Sequence, residues 1–177
     1  MNYTCSIDSP VGMLTIASDG TSIIGLWIEG QKYFADTLEE SSAQPDLPVF
    51  ENTKEWLTCY FSGRKPAITP PLAPKGSSFR QAVWSILCEI PYGQVRTYGD
   101  IANQLARQTG KGHMSAQAVG GAVGHNPISL IIPCHRVVGA DGSLTGYAGG
   151  IHKKERLLQL EGIEMKQFYI PTKGTAL

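Results

Sequence analysis

With 177 residues, 42% of them hydrophobic, the chain is long enough for one medium domain or two small ones and too apolar to be disordered. Its net charge is zero, yet residues 1–78 hold five Lys/Arg against nine Asp/Glu and residues 79–177 hold ten against six, so the halves carry −4 and +4. That asymmetry admits a polyanion partner for the second half, while the lack of a membrane-length apolar run or a basic leader points to a soluble, intracellular protein.

Tyr3 to Ile7, Gly12 to Ala17 and Ser22 to Ile28 are β-prone runs separated by turn formers, which predicts an antiparallel meander. Gln31 to Glu40 suits a helix with Phe34 and Leu38 on one face, Ser41 to Pro48 a loop, and Phe50 to Phe61 a helix stopped by Ser62-Gly63. Trp27 and Trp56 are the bulky core candidates of this small α+β unit. A connector begins near residue 62, and its Pro-rich stretch from Lys65 to Ser78 separates an amino-terminal domain, residues 1–71, from a second domain, residues 72–177.

The second domain reads as helical. Ser78 can cap a helix from Phe79 to about Glu89, ended by Pro91 and Gly93. Thr97 can cap another with Asp100 in its first turn, running to about Gln108 and broken by Gly110 and Gly112. Ser115 caps a third, with Ala118, Val119, Ala122 and Val123 as its inner face. Its Gly120-Gly121 pair costs about 2 kcal/mol of helix propensity and calls for some packing or approach constraint in return. Two helices joined through a Gly-containing turn suggest a helix-turn-helix, supported by the local basic residues Arg96, Arg107, Lys111 and His113. Ile128 to Ile132 reads as a short apolar strand or extended segment, and Gly139 to Gly142 as a turn. Gly146 to Gly150 is a Gly-rich loop, and His152 to Leu160 a helix with Leu157, Leu158 and Leu160 inward and Gly162 past its end. Phe168 to Ile170 is a last strand or an ordered tail.

The chemistry gathers at Ile131-Ile132-Pro133-Cys134-His135-Arg136-Val137-Val138. A cysteine between apolar flanks is commonly a small buried hydrophobe. Here Asn126-Pro127 stands upstream, Tyr147 and its glycines downstream, and Glu161 at the end of the last helix. Polar groups gathered around one thiol are what a thiolate nucleophile requires. His135 is the nearest base; in an extended segment it faces away from Cys134, so contact requires a turn or a bridging water. Cys5, Cys59, Cys88 and Cys134 have no CxxC spacing and, with four histidines, form no standard metal cluster.

Residues 72–162 resemble the catalytic domain of the methylated-DNA protein-cysteine methyltransferases, which repair guanine alkylated on its exocyclic oxygen. The resemblance lies in Phe79-Arg80-Gln81-Ala82-Val83-Trp84, Ile90-Pro91-Tyr92-Gly93, Thr97-Tyr98-Gly99 and Ala118-Val119-Gly120-Gly121-Ala122. It continues in Asn126-Pro127, Pro133-Cys134-His135-Arg136-Val137, Gly146-Tyr147-Ala148-Gly149-Gly150, and Leu158 with Glu161-Gly162. Residues 1–71 fit the family's variable amino-terminal domain more loosely. The implied fold is α/β or α+β in two domains, a ribonuclease-H-like amino-terminal domain and a catalytic domain containing the helix-turn-helix.

The resemblance also implies roles. Cys134, assisted by His135 and Glu161, would take a methyl or small alkyl group irreversibly from a flipped guanine. Tyr98 would donate to the base, and Asn126 would brace the cysteine's turn. Val137, Val138, Tyr147, Ala148 and Gly149 would line the pocket, and Ser115, Gln117, Ala118, Gly120, Gly121, Arg96 and Arg136 would meet DNA. The implied partner is duplex DNA containing alkylated guanine, with no cofactor, metal or membrane, for a monomer in the cytoplasm or at the nucleoid. Two positions depart from the family: Gln117 stands where an arginine commonly inserts into the duplex, and Ala148 where small polar residues occur. A DNA damage sensor without transfer, and a thiol hydrolase built on Cys134 and His135, are the competing readings.

Overall fold

The turn formers Asp8-Ser9-Pro10 and Ser18-Asp19-Gly20 fold the first apolar runs back on one another as β1 (Asn2–Ile7), β2 (Leu14–Ser18) and β3 (Ile23–Ile28), each antiparallel to the next. The computed structural model describes residues 1–172. The side chain of Asp19 accepts from the backbone of Thr21 and Ser22 at 2.9 and 2.8 Å, which closes the second turn. A fourth strand, β4 (Ser41–Ala43), pairs parallel with β1, giving the order β3-β2-β1-β4 where a loop was expected. Its three small residues are exposed, so backbone pairing alone defines it and no periodicity announces it.

The helix expected over 31–40 is a series of turns. Tyr33 and Ala35 sit at φ 57° and 55°, in the left-handed region that a helix excludes. Leu38 still packs on Ala17, Ile24 and Trp27, while Phe34 is exposed with its ring 6.1 Å from that of Trp27. Helix α1 (Pro48–Phe61) forms as expected but starts two residues earlier, because Pro48 suits the first turn. It packs against β2 and buries Phe50, Trp56, Leu57 and Tyr60, with Trp56 stacked on Tyr60 at 5.2 Å.

Strand β3 is buried along its whole length although it is an edge strand. Two later segments cover the edge. Ile23 exchanges backbone hydrogen bonds with Pro71 and Ala73, both 2.8 Å, and Leu26 with Pro127 and Ser129, both 2.9 Å. Residues 127–131 therefore belong with residues 1–75 in one compact unit; residues 76–126 and those from 132 onward form the other. The pairing that brings 127–131 to the first unit is a backbone property that composition does not reveal.

In the second unit, α2 (Ser78–Cys88) is capped by Ser77 rather than Ser78. Strand β5 (Arg96–Thr97) leads into α3 (Tyr98–Thr109), whose start is a capping box between Thr97 and Asp100 and whose end is Gly110 at φ 68°. Helix α4 (Ala116–Gly124), capped by Ser115, completes the helix-turn-helix. It buries Val119, Ala122 and Val123; Ala118, expected inward, is exposed. Trp84 Nε1 donates to the Ala122 carbonyl at 2.9 Å and ties α2 to α4. Strand β6 (Val137–Val138) pairs parallel with β5, and α5 (Ile151–Leu160) follows. Leu157 and Leu158 are buried as expected, but Leu160 is only half-buried and Lys154 takes a core position. Tyr169 makes a single bridge to Ser143 rather than a full strand. Among the described residues no helix is long and apolar enough to cross a membrane.

Candidate active site and nucleic-acid interface

Cys134, His135 and Arg136 form one turn of 3₁₀ helix instead of an extended segment. Arg136 N–H donates to the Pro133 carbonyl at 3.0 Å and Cys134 N–H to Ile132 at 2.8 Å. The alternation of faces expected of a strand therefore does not apply. Asn126, just past the end of α4, donates through Nδ2 to the Ile132 carbonyl at 2.9 Å and also hydrogen-bonds the Cys134 thiol. It thus grips the approach to the turn and the sulfur together. Burial pushes the thiol pKa up, while the Asn126 bond, the Lys154 charge and the backbone amides of Cys134 and His135 pull it down without cancelling the burial. The resting group is a thiol that needs a base at the moment of attack.

The next residue in the chain is a candidate for that base. His135 is fully buried, and its Nε2 lies 2.5 Å from Oε2 of Glu161. The other carboxylate oxygen accepts from Arg136 Nε at 2.8 Å and from Gly93 N–H at 3.0 Å. A carboxylate at the end of α5 opposes the helix dipole; here a guanidinium and a backbone donor offset that cost. Burial raises the Glu161 pKa, but the His135 hydrogen bond and charge, Arg136 and the Gly93 amide outweigh it, and the value falls to about 2. Glu161 is therefore ionised and must accept from Nε2, which leaves Nδ1 as the basic nitrogen of the ring. Burial lowers the His135 pKa and keeps the ring neutral enough to take a proton.

Arg136 corrects an expectation. It is buried, with Nη1 on the Ile90 carbonyl at 2.8 Å and its guanidinium 5.7 Å from the Tyr92 ring centroid. All this binding is internal, so Arg136 braces the site and does not face DNA.

Tyr98, at the start of α3, donates to the Thr145 carbonyl at 2.9 Å. Burial, and then the neighbouring Cys134, raise its pKa, so the phenol keeps its proton and acts as a donor. Gly146 makes the close approach possible, since a Cβ there would lie 2.8 Å from the Tyr98 oxygen. Lys154 Nζ donates to Thr145 O at 3.0 Å and to Val137 O, and stands 6.0 Å from the Tyr98 ring. Its pKa drops to about 8 because burial penalises the ammonium more than Cys134 favours it. Tyr147 is buried edge-on to His135, with ring centroids 6.5 Å apart, and burial, followed by the neighbouring Cys134, raises its pKa. Ala148 and Gly149 are half-buried beside it in the chain. Val137 is fully buried, and Val138 packs into the core with Leu144, Ile151 and Leu158.

On the helix-turn-helix, Ser115, Gln117, Ala118 and Gly121 are exposed on α4 and Gly120 is half-buried. A Cβ at Gly121 would meet nothing within 4 Å, and one at Gly120 would meet only the Tyr98 ring at 3.8 Å. Internal packing does not demand the glycine pair. Arg96 is half-buried and tethered to Gln104 at 2.7 Å, which in turn holds Glu89 at 2.9 Å.

Lys154 and the Thr145 carbonyl were missed in the sequence. For Lys154 a signal existed: it falls three residues after Ile151 and four before Leu158 on the buried stripe of α5. Among the described residues no group of three or more His, Cys, Asp or Glu could hold a metal ion.

Residues 2–74 match the family of the 6-O-methylguanine DNA methyltransferase ribonuclease-like domain, and residues 78–163 that of its DNA binding domain. A methylated-DNA–protein-cysteine methyltransferase of Methanosarcina mazei is 48% identical over 170 residues, covering 93% of this chain and 99% of the relative. One from Haemophilus influenzae is 44% identical over 162 residues, covering 91% and 87%. A crystal structure of the Mycobacterium tuberculosis protein in complex with DNA superposes with a TM-score of 0.80 at 40% identity, covering 94% of each chain. With both halves matched in order and relatives of this identity spanning nearly the whole chain, it belongs to the methylated-DNA–protein-cysteine methyltransferases.

Proposed function

We propose that Cys134 is the acceptor in the direct reversal of guanine alkylation, taking a methyl or small alkyl group from the exocyclic oxygen of the base in duplex DNA. The observation that carries this assignment is the 2.5 Å contact of His135 with Glu161, made from the same tight turn that holds the cysteine. The thiol proton passes to Nδ1 of His135 through a bridging water, and the imidazolium is stabilised by the Glu161 carboxylate. The sulfur attacks the alkyl carbon, an S–C bond forms as the C–O bond breaks, and the bonding pair stays on the base oxygen. Tyr98 exchanges the Thr145 carbonyl for the base and donates to it as that charge develops. The thioether product is not hydrolysed, so each molecule acts once.

DNA enters along α4. The small residues Ala118, Gly120 and Gly121, the first and last of them exposed, let the backbone approach closely, which accounts for a glycine pair that the chain's own packing does not require. Ser115 and Arg96 stand ready for phosphates, and Gln117 occupies the gap left by the flipped base. Tyr147, Ala148 and Gly149 flank that base in the pocket. The protein works as a monomer, away from membranes, in the compartment of its DNA.

Intact-protein and peptide mass spectrometry after incubation with a duplex containing one methylated guanine tests the assignment, with unmodified duplex and Cys134→Ala as controls. One methyl group on Cys134 and its loss from the base are expected. DNA binding with Cys134 unmodified after long incubation would mark a damage sensor and overturn the transferase reading.

A further inference from the structure

Residues 139–150 connect β6 to α5 and carry Tyr147 to the side of Cys134. Their middle is held from within the site, by Tyr98 and Lys154 on the Thr145 carbonyl. Their first half is held from elsewhere. Leu144 N–H donates to the Tyr169 carbonyl and Tyr169 N–H to the Gly142 carbonyl, both at 3.0 Å, and the Tyr169 hydroxyl donates to Asp141 Oδ2 at 2.5 Å. Phe168 and Ile170 on either side of Tyr169 pack on the cluster of Val138, Leu144, Ile151 and Leu158. The reaction uses none of residues 165–170, yet they are hydrogen-bonded to the loop that forms the pocket wall.

From this geometry we infer that residues 165–170 clamp the pocket wall, with Tyr169 as a positioning residue that sets which sizes of alkyl group Cys134 accepts. The inference rests on the alkyl transfer to Cys134 proposed above and deepens it. Beyond Leu144 the wall contains Gly146, Gly149 and Gly150, two of them at φ 80° and 101°, so its own side chains do little to restrict it. Such a loop is shaped by its anchors. One end enters α5 at Ile151, the middle is held at the Thr145 carbonyl by Tyr98 and Lys154, and the other end is the bridge to Tyr169. Releasing that bridge lets Tyr147 withdraw from its edge-on contact with His135. Space for a bulky group is gained, and the confinement that aligns a methyl carbon with the sulfur is lost.

Gly142 offers a way to open the clamp. It sits at φ 87°, and a Cβ there would overlap the Gln167 carbonyl oxygen, so Gly142→Ala pushes the segment off the loop. Tyr169→Phe removes the hydroxyl and its bond to Asp141 while leaving the backbone bonds in place. Single-turnover transfer to Cys134 is followed by mass spectrometry with duplexes carrying a methyl or a benzyl group on the guanine oxygen, alongside DNA dissociation constants and amide exchange at Leu144. Gly142→Ala is expected to slow methyl transfer about tenfold and raise the benzyl-to-methyl rate ratio by about threefold or more, with DNA affinity kept within about twofold. Leu144 exchanges faster while Val119 in α4 stays protected. Tyr169→Phe moves the ratio in the same direction by less, and decides the matter by itself if Gly142→Ala does not fold. An unchanged ratio in folded variants overturns the clamp, whether the two rates fall together or not at all. Wild-type protein that fails to methylate Cys134 overturns the transferase reading instead.

Discussion

His135 and Arg136, neighbours in one turn, bind opposite oxygens of a single carboxylate, at 2.5 Å and 2.8 Å. Glu161 is thereby committed to two tasks, orienting the His135 ring and neutralising a buried guanidinium.

Glu161→Gln separates these tasks from the fold. The amide cannot stabilise an imidazolium, and single-turnover transfer is expected to fall on the order of a hundredfold. Arg136 then loses its counter-charge, and the denaturation midpoint should drop by an amount corresponding to about 3 kcal/mol. A variant that transfers at the wild-type rate would remove Glu161 from the relay.

The same carboxylate sets the acid limit of the fold. Its folded pKa of about 2 lies below the unfolded value of 4.5, so its contribution is complete above pH 4.5 and is lost as pH falls toward 2. That contribution is on the order of 3 kcal/mol. Urea titrations across this window should show the loss in wild type and a flatter profile in Glu161→Gln.

Lys154 gives a slope of the same sign at higher pH, although here burial works against its charged form. Its folded pKa of about 8 lies below the unfolded 10.5, so the unfolded chain binds the extra proton and stability rises with pH between the two values. Lys154→Met should abolish that rise. It also removes a positive charge that favours the Cys134 thiolate, so the midpoint of the rate–pH profile should move up and transfer at neutral pH should slow. A profile identical to wild type would show that Lys154 serves only to hold the Val137 and Thr145 carbonyls.

Gln117 is exposed on α4, where a longer cationic side chain meets no internal obstacle. Gln117→Arg should tighten DNA binding and steepen the plot of log affinity against log salt by about one unit if the guanidinium takes a phosphate. Reaction with a free alkylated base, which needs no duplex, should be unaffected. Affinity and repair rate both unchanged would show that this position does not limit the protein.

The elements with strong local signals were legible. Thr97 and Asp100 announce the start of α3, Ser115 that of α4, and the apolar stripe of α1 is periodic over three turns. Where tertiary pairing decides, local pattern is silent: β4 has no apolar face, and the spacing of Phe34 and Leu38 arises from turns that deliver both to Trp27. At the site, His135 and Glu161 could be named but not brought together, since 26 residues separate them and the 3₁₀ turn at Cys134 depends on contacts made by Asn126. Arg136 was misplaced for the same reason. A basic residue beside a candidate nucleophile resembles a DNA contact until Ile90, Tyr92 and Glu161 surround it.

The edge of β3 is closed by residues 71–73 and again by 127–129. During synthesis the second closing segment is made only after α2, α3 and α4, so the first unit cannot finish its sheet before most of the second has left the ribosome. The two halves therefore mature as interleaved products of translation, and a stalled chain ending before residue 127 carries an open strand edge, with its hazard of pairing with another chain.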